Sequence, residues 1–230
     1  MRIPENEVGL DLDDGGRWTS LQLGGREWFR TSAGGGDRNG LTTYVDSGGL
    51  DECFPTVRPD HGVLWNQPWG VVDEADEWDV VQTEEAVFLR RLNGGDAPDE
   101  LGPQTIWADY RLLAEPGYRF IWAARASLDC EAGAQLVPDD LPAAELDGDT
   151  VLPGCASASV VDRGQTLRLA VTCLGQPTSF AIWRDGLSHD GLVVGPMLGR
   201  IFDLAEAGPA DAAVVGPAGE ITWRLTLSSG

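Results

Sequence analysis

The sequence predicts an all-β chain, a large antiparallel β-sandwich with long loops. Three observations carry this. Apolar and polar residues alternate over several short runs, the period expected of strands half-buried on one face. The 30 glycines and 14 prolines supply many tight turns between those runs. No long segment keeps the 3.6-residue apolar period of a helix.

In chain order, residues 17–23 (Arg-Trp-Thr-Ser-Leu-Gln-Leu) alternate and lead into Gly24-Gly25 and a second run, Arg26-Glu27-Trp28-Phe29. Gly-Gly between two such runs predicts a hairpin with a primed turn. Residues 86–92 form the next strand. Residues 105–113 and 118–124 follow as a pair joined by the turn Ala114-Glu115-Pro116-Gly117. Residues 166–172, 179–183, 191–194 and 221–227 complete the set, and 202–207 suit a short helix. The Gly34-to-Gly40 stretch and residues 93–104 read as surface loops. No linker or internal repeat divides the chain, so one domain over 1–230 is expected.

The net charge is −21 and every one of the 16 basic residues is arginine. So acidic a surface repels phosphate backbones and anionic membranes, which excludes nucleic acid and membrane as expected partners. It also disfavours a strongly anionic substrate unless arginines cluster. Cys53, Cys130, Cys155 and Cys173 are widely spaced without a CxxC pair, which predicts four buried free thiols in a reducing cytoplasm. The first residues lack an apolar signal core, and no run of about 18 apolar residues occurs. A cytoplasmic protein is expected. No His/Cys/Asp cluster has metal-ligand spacing, so neither a metal nor a cofactor is expected.

The chain has two histidines. His61 lies in Pro59-Asp60-His61-Gly62-Val63-Leu64-Trp65-Asn66-Gln67-Pro68-Trp69, just after Gly48-Gly49-Leu50-Asp51-Glu52-Cys53-Phe54-Pro55. Glycine, proline, acids and tryptophan make this whole stretch poor core material and good material for a shaped loop over a pocket. Carboxylates, imidazole and flat indoles suit a sugar or glycoside, whose hydroxyls need polar partners and whose C–H face needs an aromatic one. His61 is the candidate acid/base or ring-oxygen contact. Asp60, Glu52, Trp65 and Trp122 are candidate ligand contacts, with Trp65 the preferred platform. Asp51 and Glu52 are adjacent on an extended segment and must point to opposite faces, so at most one faces a pocket. Most of the nine tryptophans belong in the core. His189, in Asp185-Gly186-Leu187-Ser188-His189-Asp190-Gly191, reads as a solvated turn. Arg58, Arg90 and Arg91 read as solvated.

Four blocks together resemble the aldose 1-epimerase (galactose mutarotase) superfamily. They are the hairpin of residues 16–28, the stretch from Gly48 to Pro55 with Asp60-His61-Gly62 and Pro68-Trp69, the run Phe120-Ile121-Trp122-Ala123-Ala124-Arg125, and the run from Phe180-Ala181-Ile182-Trp183 through Gly195-Pro196-Met197-Leu198-Gly199-Arg200 to Ile221-Thr222-Trp223. The resemblance implies a mutarotase-like supersandwich with a sugar cleft on one sheet. It implies chemistry in which a glutamate base and a histidine acid flank the anomeric carbon and ring oxygen. His61 matches the His-Gly motif that holds the ring-oxygen side. The other two positions depart. Arg125 stands where similar proteins read Trp-Ala-Ala-His, and Gly195-Pro196 where they read Glu-Pro. Arginine keeps its proton at any working pH, and glycine has no side chain.

The departures imply a carbohydrate-binding protein with weak or no mutarotase activity, Arg125 serving as a pocket cation. One alternative is a repurposed isomerase, cyclase or lyase acting on another small molecule in a biosynthetic pathway. Another is an active epimerase whose proton carriers have moved, with Glu52, Asp60 and Asp190 the first places to look. A structural subunit is the last.

Overall fold

The computed structural model describes residues 6–30, 38–72, 78–92, 104–139, 149–183 and 192–230. His189, Asp190, residues 34–37 and residues 93–103, about which expectations were stated, lie outside the described residues. Among the described residues the strands in chain order are β1 (Asn6–Asp11), β2 (Arg17–Leu23), β3 (Arg26–Glu27), β4 (Gly49–Cys53), β5 (Gly70–Val72), β6 (Trp78–Gln82), β7 (Ala86–Leu92), β8 (Thr105–Ala114), β9 (Arg119–Phe120), β10 (Trp122–Leu128), β11 (Gln135–Pro138), β12 (Thr150–Pro153), β13 (Ser157–Asp162), β14 (Gln165–Thr172), β15 (Thr178–Trp183), β16 (Leu192–Leu198), β17 (Ala213–Val214) and β18 (Glu220–Ser229).

One sheet runs β1-β2-β4-β10-β16-β15-β12, with β3 paired to β2. The other runs β11-β13-β14-β18-β8-β7-β6-β5, and β17 and β9 form a separate ribbon. The pairings are antiparallel. The predicted hairpin is present: Gly24 (φ 62°) and Gly25 (φ 77°) both take the left-handed conformation that a primed turn needs. The expected short helix is a single 3-10 turn, Leu204–Glu206, begun by the Asp203 carboxylate accepting from the Ala205 N–H at 2.8 Å.

The core lies between the two sheets. Trp18, Leu50 and Trp122 from the first sheet meet Phe88, Tyr110 and Trp223 from the second. Tyr110 and Trp223 stack with centroids 5.3 Å apart and planes 7° from parallel. Alternation along β8 and β18 sends one face to this core. The expected strand over 118–124 is split. Phe120 pairs into the ribbon, the Ile121 N–H turns to the Pro55 carbonyl at 2.8 Å, and β10 begins at Trp122.

Three expectations are corrected. Residues 49–53 are not loop but a fully buried strand, β4, pairing with both β2 and β10. Arg90 is not solvated. It is fully buried, with Nη1 3.0 Å from both oxygens of Glu52, Nη2 2.8 Å from Asp79, and its guanidinium 4.3 Å from the Trp69 ring centre. A strand can bury Glu52 because this guanidinium, the Tyr110 hydroxyl (2.8 Å) and the Trp18 indole (3.1 Å) all donate to it. Finally, all four cysteines are free thiols, but Cys173 is only half-buried. Burial pushes the Cys130 and Cys173 thiols up to about 11, so neither is a ready nucleophile at neutral pH. Among the described residues no helix is long and apolar enough to cross a membrane.

Candidate functional site

The site follows from strand alternation. On β4 and β10, Glu52, Trp122, Ala124 and Ala126 point into the main core or its buried ion cluster. Asp51, Cys53, Ala123, Arg125 and Ser127 therefore occupy the opposite, outer face. Register places Arg125 directly across from Asp51. On the neighbouring strands Val193, Met197, Ala181 and Trp183 continue this face as a small apolar patch. Every residue of β10 is buried, because this outer face is covered too. The cover comes from the segment bearing Arg38, Tyr44 and Asp46, from the turn bearing His61, and from the region around Phe202.

The cover supplies residues that the sequence did not single out. Arg38 is buried and grips Asp51 with two hydrogen bonds of 3.0 and 2.9 Å, while its Nε donates to Asp14 at 2.8 Å. The Tyr44 hydroxyl donates to Asp51 at 2.7 Å and accepts from Arg125 Nη1 at 2.9 Å. Arg125 Nη2 donates to Asp46 at 3.2 Å, and Asp46 also accepts from Arg30 at 2.9 Å. The His61 ring stacks on Tyr44, centroids 3.9 Å apart and planes at 26°. Its backbone holds φ 62°, a conformation histidine tolerates better than most residues, and its N–H donates to the Val57 carbonyl at 2.8 Å. His61 Nδ1 is buried without a hydrogen-bond partner among the described residues.

Of the sequence-predicted contacts, His61 and Arg125 do share one face, bridged by Tyr44. Glu52 and Trp122 do not join them. Both are corrected to core positions, Glu52 bound to Arg90 and Trp122 packed 5.0 Å from Tyr110. The carboxylate that faces the cluster is Asp51. Trp65 lies edge-on to Tyr44 at 5.3 Å, but it is fully buried and donates to the carbonyls of Asp60 (2.8 Å) and Gly62 (3.1 Å). It props the turn rather than offering an open platform. Asp60 is exposed on that turn and enters the structure through its carbonyl. Of the arginines read as solvated, Arg58 is exposed and pairs with Asp149 at the rim.

The electrostatics fix the protonation of His61, Tyr44 and Asp46. Burial, and then the adjacent Arg125 charge, push His61 down to about 3, so its imidazole is neutral at physiological pH. Burial and the Asp51 charge hold Tyr44 well above the usual phenol range, so it keeps its proton. Burial alone would raise Asp46, but Arg125, the Gly48 N–H and Arg30 together hold it below the usual carboxylate range. Arg125 and Arg38 are permanent cations. The arrangement offers fixed donors and acceptors, and His61, Tyr44 and Asp46 each keep one protonation state near neutrality.

Two measurements check this. The His61 ring proton is expected not to titrate between pH 5 and 8 by NMR. Stability is expected to carry the matching sign. Above about 6.5 the ring is neutral in both states. Between there and about 3 the unfolded chain binds a proton that the folded chain refuses, so stability falls as pH falls. His61→Asn, which also accepts a positive φ, should flatten that slope between pH 6.5 and 5. An unchanged slope would contradict the buried neutral ring.

The position that resemblance assigns to a base is closed. Register runs Ala123 against Met197 and Ala126 against Val194, which brings Gly195 alongside Arg125. A Cβ built on Gly195 would stand 1.5 Å from the Ala124 carbonyl oxygen. Only glycine permits this approach of β10 and β16.

A wide sandwich of two large antiparallel sheets is the architecture of the galactose mutarotase-like fold. The solved structures bear this out. The chain superposes on Slr1438 from Synechocystis with a TM-score of 0.70 at 15% identity, covering 97% of this chain and 91% of that one. An Escherichia coli protein provisionally assigned as an aldose 1-epimerase gives 0.72 at 13%, with 98% and 96% covered. A galactose mutarotase related enzyme from Lactobacillus acidophilus gives 0.66 at 12%, with 99% and 96% covered. No protein-family model matches the chain. No curated protein matches it in sequence.

Proposed function

We propose that this chain binds an uncharged sugar or glycoside on the outer face of the β4–β10–β16 sheet and has weak or no mutarotase activity. The observation that carries the reading is the cluster of His61, Tyr44, Arg125 and Asp51, in which each titratable partner with a shifted pKa is held in one protonation state. Such a cluster suits hydroxyl recognition and does not suit proton shuttling. Each guanidinium in it already faces a carboxylate, Arg125 on Asp46 and Arg38 on Asp51, so a phosphate or carboxylate ligand gains no unclaimed cation. The similarity to mutarotase-related structures supports a sugar as the small molecule.

Calorimetry compares D-glucose and D-galactose with their 6-phosphates. The neutral sugars are expected to bind and the phosphates to bind at least tenfold more weakly. Tighter binding of a phosphate would overturn the uncharged-ligand reading, and no binding of any of the four would overturn the sugar reading itself.

A further inference from the structure

We infer that the Trp183 indole N–H is the donor that recognises the ligand, an inference that rests on the uncharged-sugar reading above. Trp183 ends β15 on the outer face, in the apolar patch with Cys53, Met197 and Phe202. Its ring lies 5.7 Å from Phe202, and the Arg125 guanidinium lies 6.0 Å from its centre. The side chain is 7% exposed, yet Nε1 is buried and has no hydrogen-bond partner among the described residues. A buried donor without an acceptor is destabilising, and it persists where a ligand completes the bond.

Two comparisons within the chain separate Trp183 from six of the other indoles. Trp18, Trp28, Trp65 and Trp69 all donate to oxygens of the chain itself. Trp122 and Trp223 also lack a partner among the described residues, but their rings pack edge to face in the core between the sheets, 5.5 Å apart. Trp183 alone of these unpartnered indoles belongs to the functional face. His61 Nδ1 is another buried polar atom on that face without a partner among the described residues, and its ring stacks on Tyr44, whose ring centre lies 5.1 Å from the Arg125 guanidinium. One ligand that meets both must present two polar groups, with a C–H face toward the indole. An uncharged cyclic polyol has that chemistry. The residue for recognition is then Trp183, and Trp65 is its scaffold counterpart.

The test uses the full chain labelled with 15N at tryptophan indoles, with D-galactose and D-glucose as probes. The peaks of Trp183, Trp122 and Trp223 are assigned from their absence in W183F, W122F and W223F; W183Y replaces W183F if that variant does not fold. On saturation with a sugar that calorimetry shows to bind, the Trp183 peak is expected to move downfield while those of Trp122 and Trp223 stay. W183F, or W183Y in its place, is expected to bind about tenfold more weakly, the scale of one lost hydrogen bond with its packing. Binding by calorimetry with an unmoved Trp183 peak and unchanged affinity in the Trp183 variant would overturn this inference and leave the sugar reading standing. Failure of both sugars to bind the native chain would overturn the two together.

Discussion

Arg90→Ala is expected to lower stability by about 3–5 kcal/mol, the scale for removing one partner of a buried ion pair. The reason is the pair of carboxylates it leaves behind. Arg90 donates to Glu52 and Asp79, and its Nη1 also reaches the Gly16 carbonyl at 2.6 Å. Burial already raises the Glu52 pKa against the pull of Arg90, so without that cation the acid binds a proton or the strand moves. The consequence reaches the site, because Glu52 facing inward is what turns Asp51 outward toward Arg38 and Tyr44. Urea unfolding monitored by tryptophan fluorescence measures the loss. Arg90→Met combined with Glu52→Gln and Asp79→Asn should recover part of it, since replacing a whole buried ion cluster is milder than orphaning half of it. Arg91→Ala, at a half-exposed neighbour, should cost about 1 kcal/mol or less. A loss for Arg90→Ala no larger than for Arg91→Ala would contradict the buried cluster.

Gly195→Ala is expected to destabilise by about 3 kcal/mol or more, at or beyond the upper end of overpacking substitutions. The obstructing atom is the backbone oxygen of Ala124, 1.5 Å from the new Cβ, and no rotamer change can clear it. Strands β10 and β16 would have to part in the middle of their sheet. Gly216→Ala is the matched control, since nothing lies within 4 Å of its Cβ. Gly195→Glu should fail in the same way as Gly195→Ala. Supplying the carboxylate that the resemblance leaves missing therefore cannot rebuild a mutarotase here, even paired with Arg125→His. Thermal unfolding of the three variants beside the native chain measures this. A Gly195→Ala protein as stable as Gly216→Ala would contradict the close approach.

The regular strands were legible because their signal is local. The runs in β2, β7, β8, β14 and β18 alternate within a few residues, and Gly24-Gly25 encodes its own turn. β4 was not legible, because what lets Gly-Leu-Asp-Glu-Cys be buried is distant. Arg38 serves one acid and Arg90 the other, each on another element of the chain. The same blindness hid Arg90, which resembles any surface arginine until Glu52 and Asp79 close around it. In the candidate site, His61 and Arg125 were legible through their motif positions. Tyr44, Asp46 and Arg38 lie in a glycine- and threonine-rich segment with no periodicity. The one local cue was Asp46-Ser47-Gly48, where the Asp46 carboxylate accepts the Gly48 N–H at 2.8 Å. Asp51 and Glu52 could be assigned to opposite faces from spacing. Which of them faces outward depended on the partners.

Polarimetry on freshly dissolved α-D-glucose, with the native chain present or absent, tests the central claim most directly. His61 is neutral and Arg125 cannot give up its proton, while Gly195 offers no base. Each half of an acid–base pair typically contributes roughly 10²–10⁴-fold. The account predicts a rate of anomer exchange close to that of buffer alone, at pH 7 and at pH 5. Saturable acceleration by several orders of magnitude from the unmodified chain would contradict it.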